Sequence, residues 1–255
     1  MKLSELKLKN KKVVITGGAN GLGKEFATAF SKHGSSIFLL DNDKDNLKKT
    51  AKNLKKNNKQ IQYSYIDVSC SKSCEKVSKL IKDNFGNVNV LINNAAVYGN
   101  IKKSPFDHIK EAEWDKVMNI NVKGVWQMCK FISPLMNSKE GGSIINISSA
   151  TVFSGSTNWM HYVASKGAVI SMSRVMAREL GHKNIRVNVI APGLILTEAS
   201  KRLFSDAKNY GIQNASLLRN ANSNEITGSA LFLASHLAKF ITGQTIIIDG
   251  GKQFI

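Results

Sequence analysis

The sequence predicts an α/β fold: one doubly wound domain over residues 1–255, with a seven-stranded parallel sheet covered by helices on both faces. Three observations carry that expectation. Short β-branched runs alternate with longer amphipathic stretches along the chain. The runs are apolar throughout rather than alternating, as strands buried on both faces must be. No Pro/Gly/Ser-rich linker interrupts the series, and the whole chain holds only three prolines.

In order, KVVITGG (12–18) reads as a buried strand ending at glycine, and GLGKEFATAFSKHG (21–34) as a helix. In that helix Leu22, Phe26, Ala29 and Phe30 share a face, and Gly34 suits a C-terminal cap. SIFLLD (36–41) is the second strand, followed by a lysine-rich helix, strand QYSYIDV (62–68), a helix through KVSKLIKDNFG and strand VNVLINNAA (88–96). A long helix is expected over 113–136, then strand GSIINISS (142–149), helix 161–180 and strand IRVNVIAPG (185–193). A helix near 225–235 leads to the last strand, QTIIIDGG (244–251).

Composition excludes several classes. With 42% apolar residues the chain can bury a sizeable core. No run approaches the 18 or so apolar residues that span a bilayer. The opening MKLSELKLKNKKVVITGG has no continuous apolar segment, so no secretory leader is expected and a cytoplasmic location is. The three cysteines, Cys70, Cys74 and Cys129, form no C-x-x-C pair, which argues against a disulfide framework and a zinc site. The formal charge of +18 comes mostly from lysines spread from Lys2 to Lys252, densest over 44–60. That segment lacks interleaved aromatics and reads as a solvated face, so no specific nucleic-acid binding and no membrane partner are expected.

The first strand runs into TGGANGLG (16–23). Gly17 permits a tight turn, Gly21 lets the backbone approach a pyrophosphate, and Gly23 allows close packing of the following helix, whose N-terminal N–H groups face the anion. A glycine-rich turn with no ligand is the plain alternative, but the strand-to-helix context favours phosphate binding. Asp41 ends the second strand, 18 residues past Gly23. There an acidic residue accepts hydrogen bonds from ribose hydroxyls and repels a 2′-phosphate, which points to NAD rather than NADP. An Asp at a strand end is also an ordinary turn residue.

HYVASKG (161–167) puts Tyr162 and Lys166 one helical turn apart on one face. With these motifs together, nearly the whole chain resembles the short-chain dehydrogenase/reductase family. TGGANGLG resembles the family's TGxxxGxG. NNAA (93–96) is similar to N-N-A-G, with Ala96 in the glycine position. PGLILT (192–197) resembles P-G-x-x-x-T.

The resemblance implies a Rossmann-type fold and a catalytic tetrad of Asn121, Ser149, Tyr162 and Lys166. It also implies a dinucleotide site made by Gly17, Asn20, Gly21, Leu22, Gly23, Asp41, Asp67, Val68, Asn94, Ala95, Tyr162, Lys166, Pro192, Gly193 and Thr197. In it Asp67 meets the adenine, Thr197 the carboxamide, and Asn121 holds a water linking Lys166 to solvent. A nearby ammonium favours the phenolate of Tyr162, a poor base in its free form.

The expected activity is NAD-dependent hydride transfer between a secondary or ring-bearing alcohol and its carbonyl, with Tyr162 as acid/base. The alternatives are an NADPH-dependent 3-oxoacyl-carrier-protein reductase and, further off, a non-enzymatic dinucleotide sensor. A flap over 198–225 is implied. Tyr98, Ser149, Phe153, Trp159 and Leu194 are candidate pocket residues, although Phe153 and Trp159 could equally pack the loop between strand and helix. The helices at 113–136 and 161–180 are apolar on more than one face, through Val117, Val125, Met128, Val169, Met172 and Met176, so a homotetramer built on them is expected, with a dimer next.

Overall fold

The structure, a computed structural model, describes residues 6–136 and 139–255. Residues 1–5, part of the opening stretch read above as carrying no leader, lie outside the described residues. The elements follow in the order β1 (Lys12–Thr16), α1 (Gly21–Lys32), β2 (Ser36–Asp41), α2 (Lys44–Lys55), β3 (Ile61–Tyr65), α3 (Ser71–Phe85) and β4 (Val90–Asn93). Then come α4 (Glu111–Met118), α5 (Gly124–Ile132), β5 (Gly142–Ile147), α6 (Thr151–Ser154), α7 (Met160–Leu180) and β6 (Ile185–Pro192). The chain finishes with β7 (Ile195–Leu196), α8 (Glu198–Leu203), β8 (Ala221–Asn222), α9 (Thr227–Ala234) and β9 (Thr245–Ile248).

Seven strands form one sheet in the order β3-β2-β1-β4-β5-β6-β9, and each neighbouring pair is parallel. Because side chains alternate along a strand, β1 feeds both faces. Val13 and Ile15 pack with Phe26, Phe30, Leu47, Ala51 and Leu233 of α1, α2 and α9. Val14 packs with Val77, Ile81, Met128, Ile132 and Val169 of α3, α5 and α7. The order reverses between β1 and β4, so a crevice opens beyond their carboxyl ends, where such sheets bind ligands.

Several boundaries differ from the sequence reading. The third strand stops at Tyr65, and 66–68 leave the sheet toward the crevice. α3 begins at Ser71, ahead of the stretch its apolar spacing marked. The long helix expected over 113–136 starts at Glu111, passes through a π-helical turn at Asn119–Lys123, and gives way at Ser133–Leu135 to a 3-10 turn around Pro134. Proline lacks the N–H an α-helix interior needs. Gly34 does follow α1 in a left-handed conformation, φ +75°. β7 and β8 pair in a separate small parallel sheet at the two ends of the 198–225 segment, a feature too short for periodicity to reveal.

Four of the six apolar residues expected to form a second helix face, Val117, Val125, Met128 and Val169, are buried within the subunit. Helices wedged between a sheet and each other bury more than one stripe. The large apolar residues exposed on these helices are Trp126, at 48% exposure, Met160 at the start of α7, and Val175, at 54%.

Candidate active site

The crevice is a cleft of about 1340 Å³ that runs from Asp41 and Asp67, past the glycine loop, to Tyr162 and Thr197. Gly17 and Gly21 take left-handed conformations, φ +65° and +51°, which side chains resist. A Cβ on Gly23 would collide with the Gly17 carbonyl oxygen, so this glycine seats α1 against the loop and does not itself line the cleft. Asn20 precedes α1 without capping it and turns its amide to Asp43 Oδ2 at 3.3 Å. Gly17, Asn20, Gly21 and Leu22 all border the cleft.

The loop is held from both sides. Thr16 Oγ1 accepts from the N–H groups of Asn94 (3.0 Å) and Ala95 (3.1 Å), while Asn94 Nδ2 donates to the carbonyls of Thr16 (3.2 Å) and Gly17 (3.1 Å). The Asp41 carboxylate accepts from Ala19 N (2.9 Å) and from Asp43 N (2.9 Å), which ties the loop to the end of β2. Asp43 caps α2 by accepting from Asn46 N (3.1 Å) and lies in the same wall; its place before a helix was the only local signal of this second carboxylate. Its acidity is raised by hydrogen bonds from the Asn46 side chain and backbone. Asp67 Oδ1 accepts from Ser69 N (2.9 Å) and Ser69 Oγ (2.6 Å), and Val68 follows along the cleft. Ala96 is exposed on the cleft side, so its methyl meets open space.

At the other end, β5 delivers Ser149 and α7 delivers Tyr162 and Lys166, each at most 7% exposed. Ser149 Oγ accepts from Thr151 Oγ1 at 2.9 Å and lines the cleft with Tyr162. Lys166 Nζ donates to the Ile147 carbonyl at 2.9 Å and stands 5.8 Å from the centre of the Tyr162 ring. Burial pushes the Tyr162 phenol up, the Tyr98 phenol adds to the rise, and the Ser149 hydrogen bond only partly opposes it. Burial lowers the Lys166 ammonium to about 8. Lys166 Nζ is thus bonded to a carbonyl, and burial outweighs the other influences on the Tyr162 phenol.

Asn121 is fully buried in the π-helical turn and does not line the cleft. Its carbonyl oxygen Oδ1 accepts from Val97 N (2.8 Å) and its Nδ2 donates to Ser165 Oγ (3.1 Å) and Val97 O (3.3 Å). The side chain thus fixes the backbone behind Tyr162 and has no hydrogen bond to Lys166. Pro192, Gly193, Leu194 and Thr197 border the cleft opposite the glycine loop. Thr197 also caps α8, its Oγ1 accepting from Ser200 N at 3.2 Å.

Of the candidate pocket residues, Tyr98, Ser149, Trp159 and Leu194 line the cleft, and Phe153 does not. On the single turn of α6, Thr151 and Ser154 face the cleft and Phe153 is turned off that face, half-buried. Tyr98, Trp159 and Tyr162 form a mutual ring cluster with centroids 5.5–5.7 Å apart. Phe204 joins it, stacked on Trp159 at 6.2 Å, and Tyr210 packs on Phe204 at 4.0 Å. These last two were missed because nothing in the local sequence of 198–225 distinguishes a ring that folds inward from one that does not.

The residues present fit a dinucleotide. Two left-handed glycines leave room beside the N-terminus of α1, a carboxylate stands at the far end of the cleft, and a buried Tyr–Ser–Lys group at the near end. Among known proteins, a family model described as Enoyl-(Acyl carrier protein) reductase matches residues 17–253. A 3-oxoacyl-(acyl-carrier-protein) reductase of Thermotoga maritima is 33% identical over 96% of this chain and 99% of its own length. An NAD-dependent glycerol dehydrogenase of Listeria innocua is 34% identical over 97% of this chain and 95% of its own. The crystal structure of a short-chain dehydrogenase/reductase from Brucella melitensis, titled a glucose/ribitol dehydrogenase, superposes with a TM-score of 0.91 at 31% identity, covering 98% of this chain and 100% of that one.

Proposed function

The chain belongs to the short-chain dehydrogenase/reductase family of oxidoreductases, and from that premise we propose that it is an NAD-dependent dehydrogenase of secondary or ring-bearing alcohols. The observation that carries this reading is the pairing, in one cleft, of the Asp41 carboxylate at one end with a buried Tyr162, together with Ser149 and Lys166, at the other. Asp41 would accept the ribose hydroxyls, and with Asp43 beside it the wall is doubly unfavourable to a 2′-phosphate. The glycine loop would hold the pyrophosphate, Asp67 and Val68 the adenine, and Asn94, Ala95, Pro192, Gly193 and Thr197 the nicotinamide half. When bound, the nicotinamide donates or accepts the hydride.

The protein's own part is proton handling and placement. In reduction, Ser149 donates a hydrogen bond that holds the substrate carbonyl oxygen, and Tyr162 gives that oxygen its proton as the carbon gains hydride. Lys166, with its ammonium lowered to about 8, is poised to return a proton to the site at neutral pH and to hold the nicotinamide ribose. Since the Asn121 amide is committed to Val97 and Ser165, a water link to Lys166 would run from the Asn121 main-chain carbonyl. The aromatic cluster beside Tyr162 suits an apolar, ring-bearing substrate.

A second reading, reduction of 3-oxoacyl groups on an acidic carrier protein, is favoured by the +18 charge and by the name of the Thermotoga relative. Side-by-side fluorescence titration with NADH and NADPH tests the choice. Tighter NADH binding is expected, and a preference for NADPH would move the carrier-protein reductase to first place. Assembly as a homotetramer, with Trp126 and Val175 covered by a second copy, is part of the proposal; a monomer by light scattering would refute it. No helix among the described residues is long and apolar enough to cross a membrane.

A further inference from the structure

Lys103 lies on the loop between β4 and α4, outside every motif. Its ammonium sits 4.0 Å from the centre of the Phe204 ring, 5.5 Å from Tyr210 and 5.6 Å from Trp159. The three rings come from two separate parts of the chain, Trp159 at the start of α7 and the other two on the flap, so the charge lies where three segments converge.

The two sides of this contact are each internally fixed. On the loop side, Lys102 N donates to Glu113 Oε1 (3.0 Å) and Ser104 N to the Asn158 carbonyl (3.1 Å), so the backbone on both sides of Lys103 is anchored to the frame that carries Trp159. On the flap side, Asn220 Nδ2 donates to the carbonyls of Ala207 (2.9 Å), Lys208 (3.2 Å) and Tyr210 (3.0 Å), which closes 207–210 into one unit. Lys252 Nζ adds a bond to Asn220 Oδ1 at 3.2 Å. Between these two bodies Ile101, Leu203 and Ala207 share one apolar cluster with the rings; the Lys103 ammonium is the charge placed over the ring faces there, and a cation shared by three ring faces is attracted by each quadrupole.

We propose that Lys103 is a positioning residue that clasps the flap shut over the substrate end of the cleft, and so sets the preference for ring-bearing substrates. With the clasp closed, Phe204 lies parallel to Trp159 within 6° and completes the aromatic wall that begins at Tyr98 and Tyr162. With it open, that wall loses Phe204 and Tyr210, and a substrate that stacks on rings loses more than a small one that does not. The substrate part of this inference rests on the dehydrogenase reading above; the clasp itself does not.

The test compares Lys103→Met, which keeps the apolar stem and removes the charge, with Lys103→Arg, which keeps a cation able to stack on rings. Limited trypsinolysis reads the flap directly, because Lys201, Arg202 and Lys208 are exposed cleavage sites on it. The Met variant should be cut there about fivefold faster and the Arg variant at the wild-type rate. With 4-phenyl-2-butanone and butanone as probes, the Met variant should raise KM for the phenyl ketone about fivefold, leave kcat and NADH affinity within twofold, and change KM for butanone little. In a Phe204→Leu background the same charge removal should have little further effect on cleavage. Unchanged cleavage in Lys103→Met, or an equal effect of that change with Leu at 204, would overturn the clasp. Turnover of neither ketone by the wild type would count against the dehydrogenase reading, and the cleavage rates would still decide the clasp.

Discussion

The two ends of the cleft are built by different means. The dinucleotide end is made of backbone and short side chains from β1, β2 and β4, cross-tied by Thr16, Asn94 and Asp41 within a few residues of the strand ends. The end proposed for the substrate is made of large rings, Tyr98, Trp159, Phe204 and Tyr210, brought from three separate segments and held by stacking and one cation. A phosphate-binding turn has few geometric solutions, since N–H groups must converge on an anion, whereas an apolar wall can be assembled from many residue sets. The first end is therefore fixed by register, and the second is free to define the substrate.

The largest test of this contrast separates chemistry from binding. Tyr162→Phe removes the proposed proton donor and should lower turnover about a thousandfold while NADH affinity stays within twofold. Equal losses in both would mean that the two ends are not independent. Gly23→Ala puts a methyl into the Gly17 carbonyl. It should cost about 3 kcal/mol of stability together with measurable NADH affinity, read by thermal melts with and without NADH.

Lys166 sharpens the comparison through pH. Its folded value is lowered to about 8 by burial, so between there and the ordinary lysine range near 10.4 the unfolded chain binds more protons than the folded one. Stability linked to this group is present above the unfolded value and lost as pH falls through about 8. Denaturant melts should show the wild type gaining about 2 kcal/mol on Lys166→Met between pH 7.5 and 10; parallel curves would mean the lysine is solvated. The smallest effect expected is at the far end of the cleft. Asp41→Asn should narrow the preference for NADH over NADPH about tenfold, measured by titration, with kcat on the preferred cofactor little changed.

Local sequence pattern was enough for the frame. The parallel sheet, the glycine loop, the place of Asp41 and the spacing of Tyr162 and Lys166 were all legible, because strand burial, left-handed turns and helical periodicity write local patterns. What it misjudged were effects of surroundings. Val117, Val125, Met128 and Val169 read as an extra apolar face but are core, since how many stripes a helix buries depends on its neighbours. Phe153 and Phe204 are the same residue type near the same site, yet only Phe204 reaches the cleft wall. The direction of the Tyr162 shift was set by its burial and by the neighbouring Tyr98, a ring from another segment. Asn121 was visible as a residue, but its bonds to Val97 and Ser165 were not. Tertiary structure decided these because desolvation, ring stacking and hydrogen-bond choice are set by atoms that meet only when distant segments pack.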